Sequence, residues 1–308
     1  MSGILALFKT LTLPASSQLK GKTILITGAN TGLGREAARH ALTLGAEVVI
    51  LGVRTLTKGE DARADIEAST GLSGKNRVLV WPVDLESFAS VSAFSKRARE
   101  YVDGGGRLDI AIMNAGLASM EWAVTGDGWE KQIQVNVLST ALLCLGLVPL
   151  LLGTRSGSES KSETESESRP HLVILASDVH RTAKFPERDS ENILSALNDY
   201  DAWKRSQGIG GPVERYSVSK LLDIFITIEL ARLVPRDGRG DPRVVVNCLT
   251  PGFCKSDLLT REKAPWMLKV VQSLIARTVE EGSKTLLHAA TQGGESHGVW
   301  FENQAVAE

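Results

Sequence analysis

The sequence predicts an α/β protein built on one doubly wound parallel sheet. Three observations carry this. From residue 22 onward, strand-like apolar runs alternate with helix-like stretches. The strand-like runs are continuously apolar rather than alternating, as strands covered on both faces are. A glycine-rich turn, Thr27-Gly28-Ala29-Asn30-Thr31-Gly32-Leu33-Gly34, joins the first run to the first helix-like stretch. In such sheets ligands bind outside the carboxyl ends of the strands.

Residues 1–19 read as an N-terminal extension and 20–308 as a single domain. Met1 to Leu13 carries Ile4, Leu5, Leu7, Phe8, Leu11 and Leu13 with one lysine. It is expected to form an amphipathic helix docked on the body, with membrane-surface contact as the alternative. It is too short to span a bilayer and lacks the charged start and cleavage site of a signal peptide. No stretch is expected to cross a membrane. Strands are expected at 23–26, 47–51, 77–81, 108–113, 171–175 and 243–248, with a closing strand at 298–301. Helices are expected at 35–44, 55–70, 87–101, 128–152, 213–233 and 279–291. Residues 154–169, mostly Ser and Glu, have nothing apolar to bury and read as a disordered surface loop. There is no internal repeat.

The 308 residues suffice for one large α/β domain, and 43% hydrophobic content leaves material for a full core. Lys+Arg is 35 and Asp+Glu is 36, a formal net charge of −1. Nothing in that balance points to nucleic acid or to an anionic membrane. Three cysteines, Cys144, Cys248 and Cys254, lack metal-ligand spacing. An odd count without a secretion signal predicts a reduced, cytoplasmic protein. No metal site is expected, since there is no HExxH and no cysteine cluster.

The glycine turn has the strand–turn–helix setting of a dinucleotide site, spaced TGxxxGxG. Gly28 lets the chain leave the strand sharply. Gly32 admits a pyrophosphate to the backbone, and Gly34 lets helix and strand pack closely. The N–H groups of Thr31, Gly32 and Leu33 then face phosphate at the positive end of a helix, beside Asn30. Further on, Tyr216-Ser217-Val218-Ser219-Lys220 places a phenol and an ammonium on one helix face. A free tyrosine has a pKa of about 10. A neighbouring ammonium stabilises phenolate, so Tyr216 is expected to exchange a proton near neutral pH.

With both motifs in hand, the sequence resembles the short-chain dehydrogenase/reductase family, over residues 20 to about 292. Further matches come in the family's order: Asp84-Leu85, Asn114-Ala115-Gly116, Asn136 within Val135-Asn136-Val137, Ser177, and Pro251-Gly252-Phe253-Cys254-Lys255-Ser256. The last matches PGxxxT, with Ser256 replacing the threonine. The resemblance implies a Rossmann fold and the following roles. Tyr216 acts as general acid in reduction and base in oxidation. Lys220 lowers its pKa and bonds the nicotinamide ribose. Ser177 bonds the substrate oxygen, and Asn136 holds a water linking Lys220 to solvent. Asp84 contacts the adenine. The long helices 128–152 and 213–233 imply a homodimer or tetramer. The pattern looks like the retinol-dehydrogenase-like branch, including fungal members of secondary-metabolite pathways. Unlike many retinol dehydrogenases, it shows no N-terminal membrane helix.

NAD enzymes usually place an acid after the second strand to bind both ribose hydroxyls. Here that place reads Leu51-Gly52-Val53-Arg54. Arg54, assisted by Arg35 and Lys58, suits the 2′-phosphate of NADP(H). Residues 180–211 exceed the compact family pattern and are expected to form a lid beside the substrate. Leu117, Met120 and Trp122, with Leu258, Leu259, Trp266, Met267 and Leu268, suit a small lipophilic carbonyl or alcohol. Two other classes stay open: non-redox elimination or cyclisation on the same fold, and an NADP(H)-binding regulator without turnover.

Overall fold

The first apolar run becomes strand β1 (Thr23–Thr27), buried along its whole length. In this computed structural model, residues 10–154, 169–211, 213–255 and 276–307 are described. The strands that follow are β2 (Val48–Val53), β3 (Val78–Pro82), β4 (Ile110–Met113), β5 (His171–Leu175), β6 (Val245–Thr250), β7 (Trp300–Glu302) and β8 (Ala305–Val306). They form one sheet in the order β3-β2-β1-β4-β5-β6-β7-β8. Every pairing is parallel except β7 with β8. The antiparallel β8 is absent from the sequence reading: two residues are too few to show periodicity.

Between the strands lie helices α1 (Gly32–Thr43), α2 (Leu56–Thr70), α3 (Phe88–Asp103), α4 (Thr140–Gly153), α5 (Ile193–Leu197), α6 (Tyr200–Gly210), α7 (Glu214–Leu233) and α8 (Val279–Ala289). Alternate strand residues serve opposite faces, and the core divides accordingly. Leu25, Ala111 and Ile174 pack with Phe94, Leu147 and Leu230 from α3, α4 and α7. Ile24, Ile26 and Ile112 pack with Ala38, Ile66 and Leu286 from α1, α2 and α8. Each fully buried Leu or Ile contributes about 1.5–3 kcal/mol, so both layers are needed.

The order reverses beside β1, which pairs with β2 on one side and β4 on the other. Chain crossovers leave in opposite directions there, opening a crevice at the strand ends.

Three expectations change in the structure. The helix expected from residue 128 begins later, and Ile133–Ser139 winds as a π-helix before α4. Its buried polar residues explain this: Gln134, Asn136 and Ser139 bond neighbouring loops rather than only their own turn. Ile133–Gly153 as a whole is long and apolar enough to cross a membrane, contrary to the sequence reading. Its apolar side chains Leu143, Leu147 and Leu151 are spent on the sheet, as in a core helix. The N-terminal segment is not helical at residues 10–13. Leu11 is buried, its N–H donating to Glu281 Oε1 at 2.7 Å, and the Thr12 N–H donates to Gln304 Oε1 at 2.9 Å. This part docks on the body as strap rather than helix; residues 1–9 lie outside the described residues, as do 155–168 of the Ser/Glu-rich loop.

Residues 178–211 fold into two 3-10 turns, Asp178–Thr182 and Pro186–Asp189, followed by α5 and α6. This insertion is clamped to the start of α7. Glu214 Oε1 accepts from the N–H groups of Lys184 at 2.8 Å and Phe185 at 2.9 Å. Arg215 pairs with Glu187 at 3.0 Å, both almost fully buried. On its other side, Asn198 Oδ1 accepts from the Glu130 N–H at 2.6 Å. Trp122 packs edge-on to Tyr200 at 5.7 Å and tilted against Trp203 at 5.8 Å.

Candidate active site

A cavity of about 480 Å³ opens at the switch point, over the carboxyl ends of β1, β4 and β5. Its floor is the glycine turn. Gly28 has φ +66°, and a Cβ there would lie 3.0 Å from Ala115 Cα. Gly34 lies beneath: a Cβ would come within 2.6 Å of Asn114 Nδ2 and 2.9 Å of Gly28 O. Close packing of helix and strand therefore excludes any larger residue. Gly32 has φ +58° and faces open space, so the backbone presents itself without a side chain. Thr31, at the N-cap of α1, makes no side-chain capping bond to that helix. The first N–H groups of α1 thus suit an anion, and Asn30, Thr31 and Leu33 line the cavity beside them.

Asp84, Leu85 and Arg54 form the far end of the cavity. Asp84 Oδ1 accepts from the Glu86 N–H at 2.9 Å. Arg54 donates to Glu86 Oε1 at 2.8 Å, and Lys131 lies 3.1 Å from the same oxygen. Lys58 is exposed and does not reach the cavity. Arg35 is drawn to Asp65 and Glu36 instead. The first turn of α2 points Lys58 to solvent, and α1 offers Arg35 nearer carboxylates.

Asn114, Ala115 and Gly116 form the middle wall. Asn114 Nδ2 donates to Thr27 O at 2.8 Å, and the Ala115 N–H donates to Thr27 Oγ1 at 3.0 Å. Asn114 is a clip that holds the end of β4 against the glycine turn. Asn136 sits behind this wall and does not line the cavity. Its Nδ2 donates to Leu117 O at 2.8 Å and to Ser219 Oγ at 3.0 Å, while its Oδ1 accepts from the Leu117 N–H at 2.9 Å. Its amide ties the NAG loop to α7.

The opposite wall carries Ser177, Tyr216 and Lys220. Ser177 follows β5; its hydroxyl donates to Asp178 Oδ1 at 3.2 Å and pulls the pKa of the Tyr216 phenol downward. Lys220 Nζ lies 5.9 Å from the centre of the Tyr216 ring. It donates to Leu175 O at 2.7 Å and to Asp223 Oδ2 at 2.8 Å. Burial raises the Tyr216 pKa above the ordinary phenol value, and the pull of Lys220 and Ser177 only partly offsets this. Contrary to the expected fall toward neutrality, desolvation of the phenolate outweighs one neighbouring ammonium.

Pro251, Gly252 and Phe253 close the cavity above β6; Ser256 lies outside the described residues, as do Leu258, Leu259, Trp266, Met267 and Leu268. Cys254 lines the cavity too, and burial pushes its thiol up to about 12, leaving it unreactive. Leu117 reaches the cavity, while Met120 and Trp122 do not. Among the described residues of the insertion and its flanks, Asp178, Val179 and Val213, at its two ends, line it. The expected lid is thus a brace on α7 and on the loop after Gly116. Glu86 and Asp223 escaped the sequence reading; a carboxylate three residues beyond the motif lysine was the available signal for Asp223.

A crevice at a switch point, floored by a glycine turn and faced by a Ser, Tyr and Lys, is the arrangement of a dinucleotide-binding α/β fold. Residues 22–158 match the family described as short chain dehydrogenase. The chain is 40% identical to the short chain dehydrogenase atnD of Emericella nidulans, covering 96% of this chain and 88% of that one. It is 38% identical to the short chain dehydrogenase sol3 of Alternaria solani, covering 95% and 92%. The protein belongs to the short-chain dehydrogenase/reductase family of oxidoreductases. Among solved structures its fold is like that of a Shigella flexneri short chain dehydrogenase complexed with NADP, with TM-score 0.62, 22% identity and coverage of 94% and 100%. It is also like that of a Sphingobium yanoikuyae short-chain dehydrogenase in complex with NADPH, with TM-score 0.59, 21% identity and coverage of 87% and 82%.

Proposed function

We propose that this protein is an NADP(H)-dependent oxidoreductase that interconverts a ketone or aldehyde and an alcohol on a small lipophilic substrate. The observation that carries this reading is one cavity holding both the glycine turn and the Ser177–Tyr216–Lys220 wall. The fit to a dinucleotide rests on Gly28 and Gly32, both at positive φ, and on the start of α1, which has room for an anion. Gly28–Leu33 would hold the pyrophosphate, Asp84 and Leu85 the adenine, and Arg54 the 2′-phosphate. When bound, the nicotinamide supplies or accepts the hydride.

The chain's own residues manage the proton. Ser177 orients the substrate oxygen beside Tyr216. Tyr216 gives its phenolic proton to a carbonyl oxygen in reduction and recovers one from an alcohol in oxidation. Lys220 stabilises the phenolate that this leaves. Leu117, Val135, Val179, Val213 and Phe253 supply the apolar lining that favours a lipophilic substrate. A place in fungal secondary metabolism, in the cytoplasm, rests on the family resemblance rather than on any feature of the site.

The test is Tyr216→Phe, assayed by loss of NADPH absorbance with a panel of aldehydes and ketones. Proton transfer contributes about 10²–10⁴-fold, so turnover falls by that amount while NADPH affinity barely moves. Near-wild-type turnover would refute the mechanism. Product formation without NADPH consumption would favour the elimination or cyclisation class, and binding without any turnover the regulator.

A further inference from the structure

The last two strands are joined by a turn that its own residues do not favour. Glu302 pairs with Ala305, so Asn303 and Gln304 alone connect β7 to β8. Both have positive φ, +51° and +59°. Two successive residues in that region mark a type I′ hairpin turn, which favours glycine and asparagine. Gln304 is neither, and its backbone is strained there. Such strain persists where the surroundings hold it, and it clusters at sites in use.

The side chains of the turn show what it holds. Gln304 Oε1 accepts from the Thr12 N–H at 2.9 Å, and its Nε2 donates to Thr12 O at 2.7 Å. The N-terminal strap thus fastens the turn. Asn303 Oδ1 accepts from Arg277 Nη1 at 2.7 Å. Arg277 is 7% exposed, and its guanidinium packs on Gly252, where a Cβ would lie 2.9 Å from Nη1. Its backbone grips the same loop. The Arg277 N–H donates to Phe253 O at 2.9 Å, and the Lys255 N–H donates to Arg277 O at 2.8 Å. Gly252, Phe253 and Cys254 line the cavity. On the other side of the turn, Glu302 pairs at 2.9 Å with Arg181, in the 3-10 turn that follows Ser177. One hairpin end therefore stands behind two walls of the cavity.

We propose that Asn303 and Arg277 are positioning residues of this site: Asn303 fixes the Arg277 guanidinium, which holds the Gly252–Cys254 wall in place against the dinucleotide. This rests on the reading of the cavity as a dinucleotide site and adds to it residues outside its motifs. A guanidinium is a planar fork, and acceptors placed around it set its orientation. Hydrogen bonds from such a cation are among the stronger ones. Without the Asn303 oxygen, the guanidinium is free to turn from Gly252. Gly252 sits at φ +73° with no side chain of its own, so this stretch of wall depends on what packs against it.

Cys254 lies in this loop, and all three cysteines are buried, so thiol labelling reads the loop without substrate or cofactor. The full chain is treated with a maleimide, and each cysteine is followed by peptide mass spectrometry. The variant is Asn303→Gly, since glycine suits the positive φ and only the acceptor is lost. Loss of one hydrogen bond to a charged group shifts a local opening equilibrium by about tenfold, so Cys254 should label about tenfold faster than in wild type. Cys144 and Cys248, in the core, should keep their wild-type rates. Asn303→Asp retains an acceptor for Arg277 and should leave Cys254 near wild type. Saturating NADPH should slow Cys254 labelling in Asn303→Gly, because a ligand of the closed form draws the loop back. An unchanged Cys254 rate in Asn303→Gly would overturn the proposal. So would equal acceleration of all three cysteines, which marks general unfolding, or a variant that labels as fast with NADPH bound as without. Should Asn303→Gly fail to fold, judged by circular dichroism, Arg277→Gln takes its place with the same outcomes expected. The labelling rates of the free protein need no cofactor, so their failure is distinct from a wild type that does not bind NADPH, which would count against the function proposed above.

Discussion

Arg54 lies where an acid would select NAD, and its present partner is Glu86 at 2.8 Å. Arg54 is 59% exposed in this pair, and such exposed bridges contribute about 0–1 kcal/mol. A phosphate monoester carries roughly −1.5 to −2 charge at neutral pH and displaces a single carboxylate. Arg54→Ala should therefore weaken NADPH binding about tenfold and leave NADH binding nearly unchanged. Glu86→Gln should tighten NADPH binding a few-fold by removing the competitor. Fluorescence titration of both cofactors checks this; equal losses for NADH and NADPH in Arg54→Ala would reject NADP selectivity. His171 offers a pH prediction at the same scale. Burial lowers it to about 4, below its ordinary value of 6.5, and its nitrogens face Arg169 O and Gln292 O. The folded state thus resists protonation more than the unfolded chain does. Its stabilisation is complete above pH 6.5 and is lost as pH falls toward 4. Asp223 acts oppositely, since its charging penalty is relieved as pH falls below about 6. Comparing His171→Asn with wild type isolates the first effect: the variant should lose less stability between pH 6.5 and 4.

At the scale of elements, the insertion and α7 are joined by Arg215 and Glu187, almost wholly buried. Removing one partner leaves an uncompensated buried charge, which costs about 3–5 kcal/mol. Arg215→Met should lower Tm sharply and loosen the start of α7, where Tyr216 sits. Replacing both partners, as Arg215→Met with Glu187→Leu, should recover much of that loss. Equal Tm values for single and double variants would show the pair to be unimportant. By contrast, exchanging residues 155–168 for a short Gly/Ser linker, with Thr154 and Arg169 kept for their bonds to Leu108 O and to Asp237 and Asp241, should leave Tm and turnover within error, because the sequence between them has nothing apolar to bury. A large fall in either would show that it packs.

The elements themselves were legible because each carries its own signal. The glycine turn, the apolar strands and the Tyr216–Lys220 spacing are local patterns, and local patterns report local structure. The insertion is the counterexample. Its aromatic residues suggested a lid, yet Tyr200 and Trp203 stack on each other and pack against Trp122 from another loop. Which surface an aromatic side chain meets depends on the path of the chain around it. Asn136 makes the same point: the residue was found, but its contacts with Leu117 and Ser219 come from two other segments.

At the scale of the molecule, the outer faces of α4 and α7 keep Leu145, Phe225 and Leu233 exposed at 54%, 46% and 71%. Apolar residues on the two long helices fit the homodimer or tetramer that the family resemblance implies. Light scattering at working concentration should give at least a dimer, and Leu145→Glu with Phe225→Glu should shift it toward monomer. A monomeric wild type would remove this expectation.

By itself the sequence determined the parallel sheet, the glycine turn at its crevice and the spacing that puts Tyr216 and Lys220 on one helix face. Hydrophobic period, glycine placement and helical spacing act over a few residues and need no partner to be read. Only the tertiary structure decided how those residues are charged and held. Asp223 faces Lys220 inside a dry core, Glu86 occupies Arg54, and Tyr216 is pushed upward by burial. Desolvation and charge pairing depend on what surrounds a group in space, and those neighbours come from segments far apart in the chain.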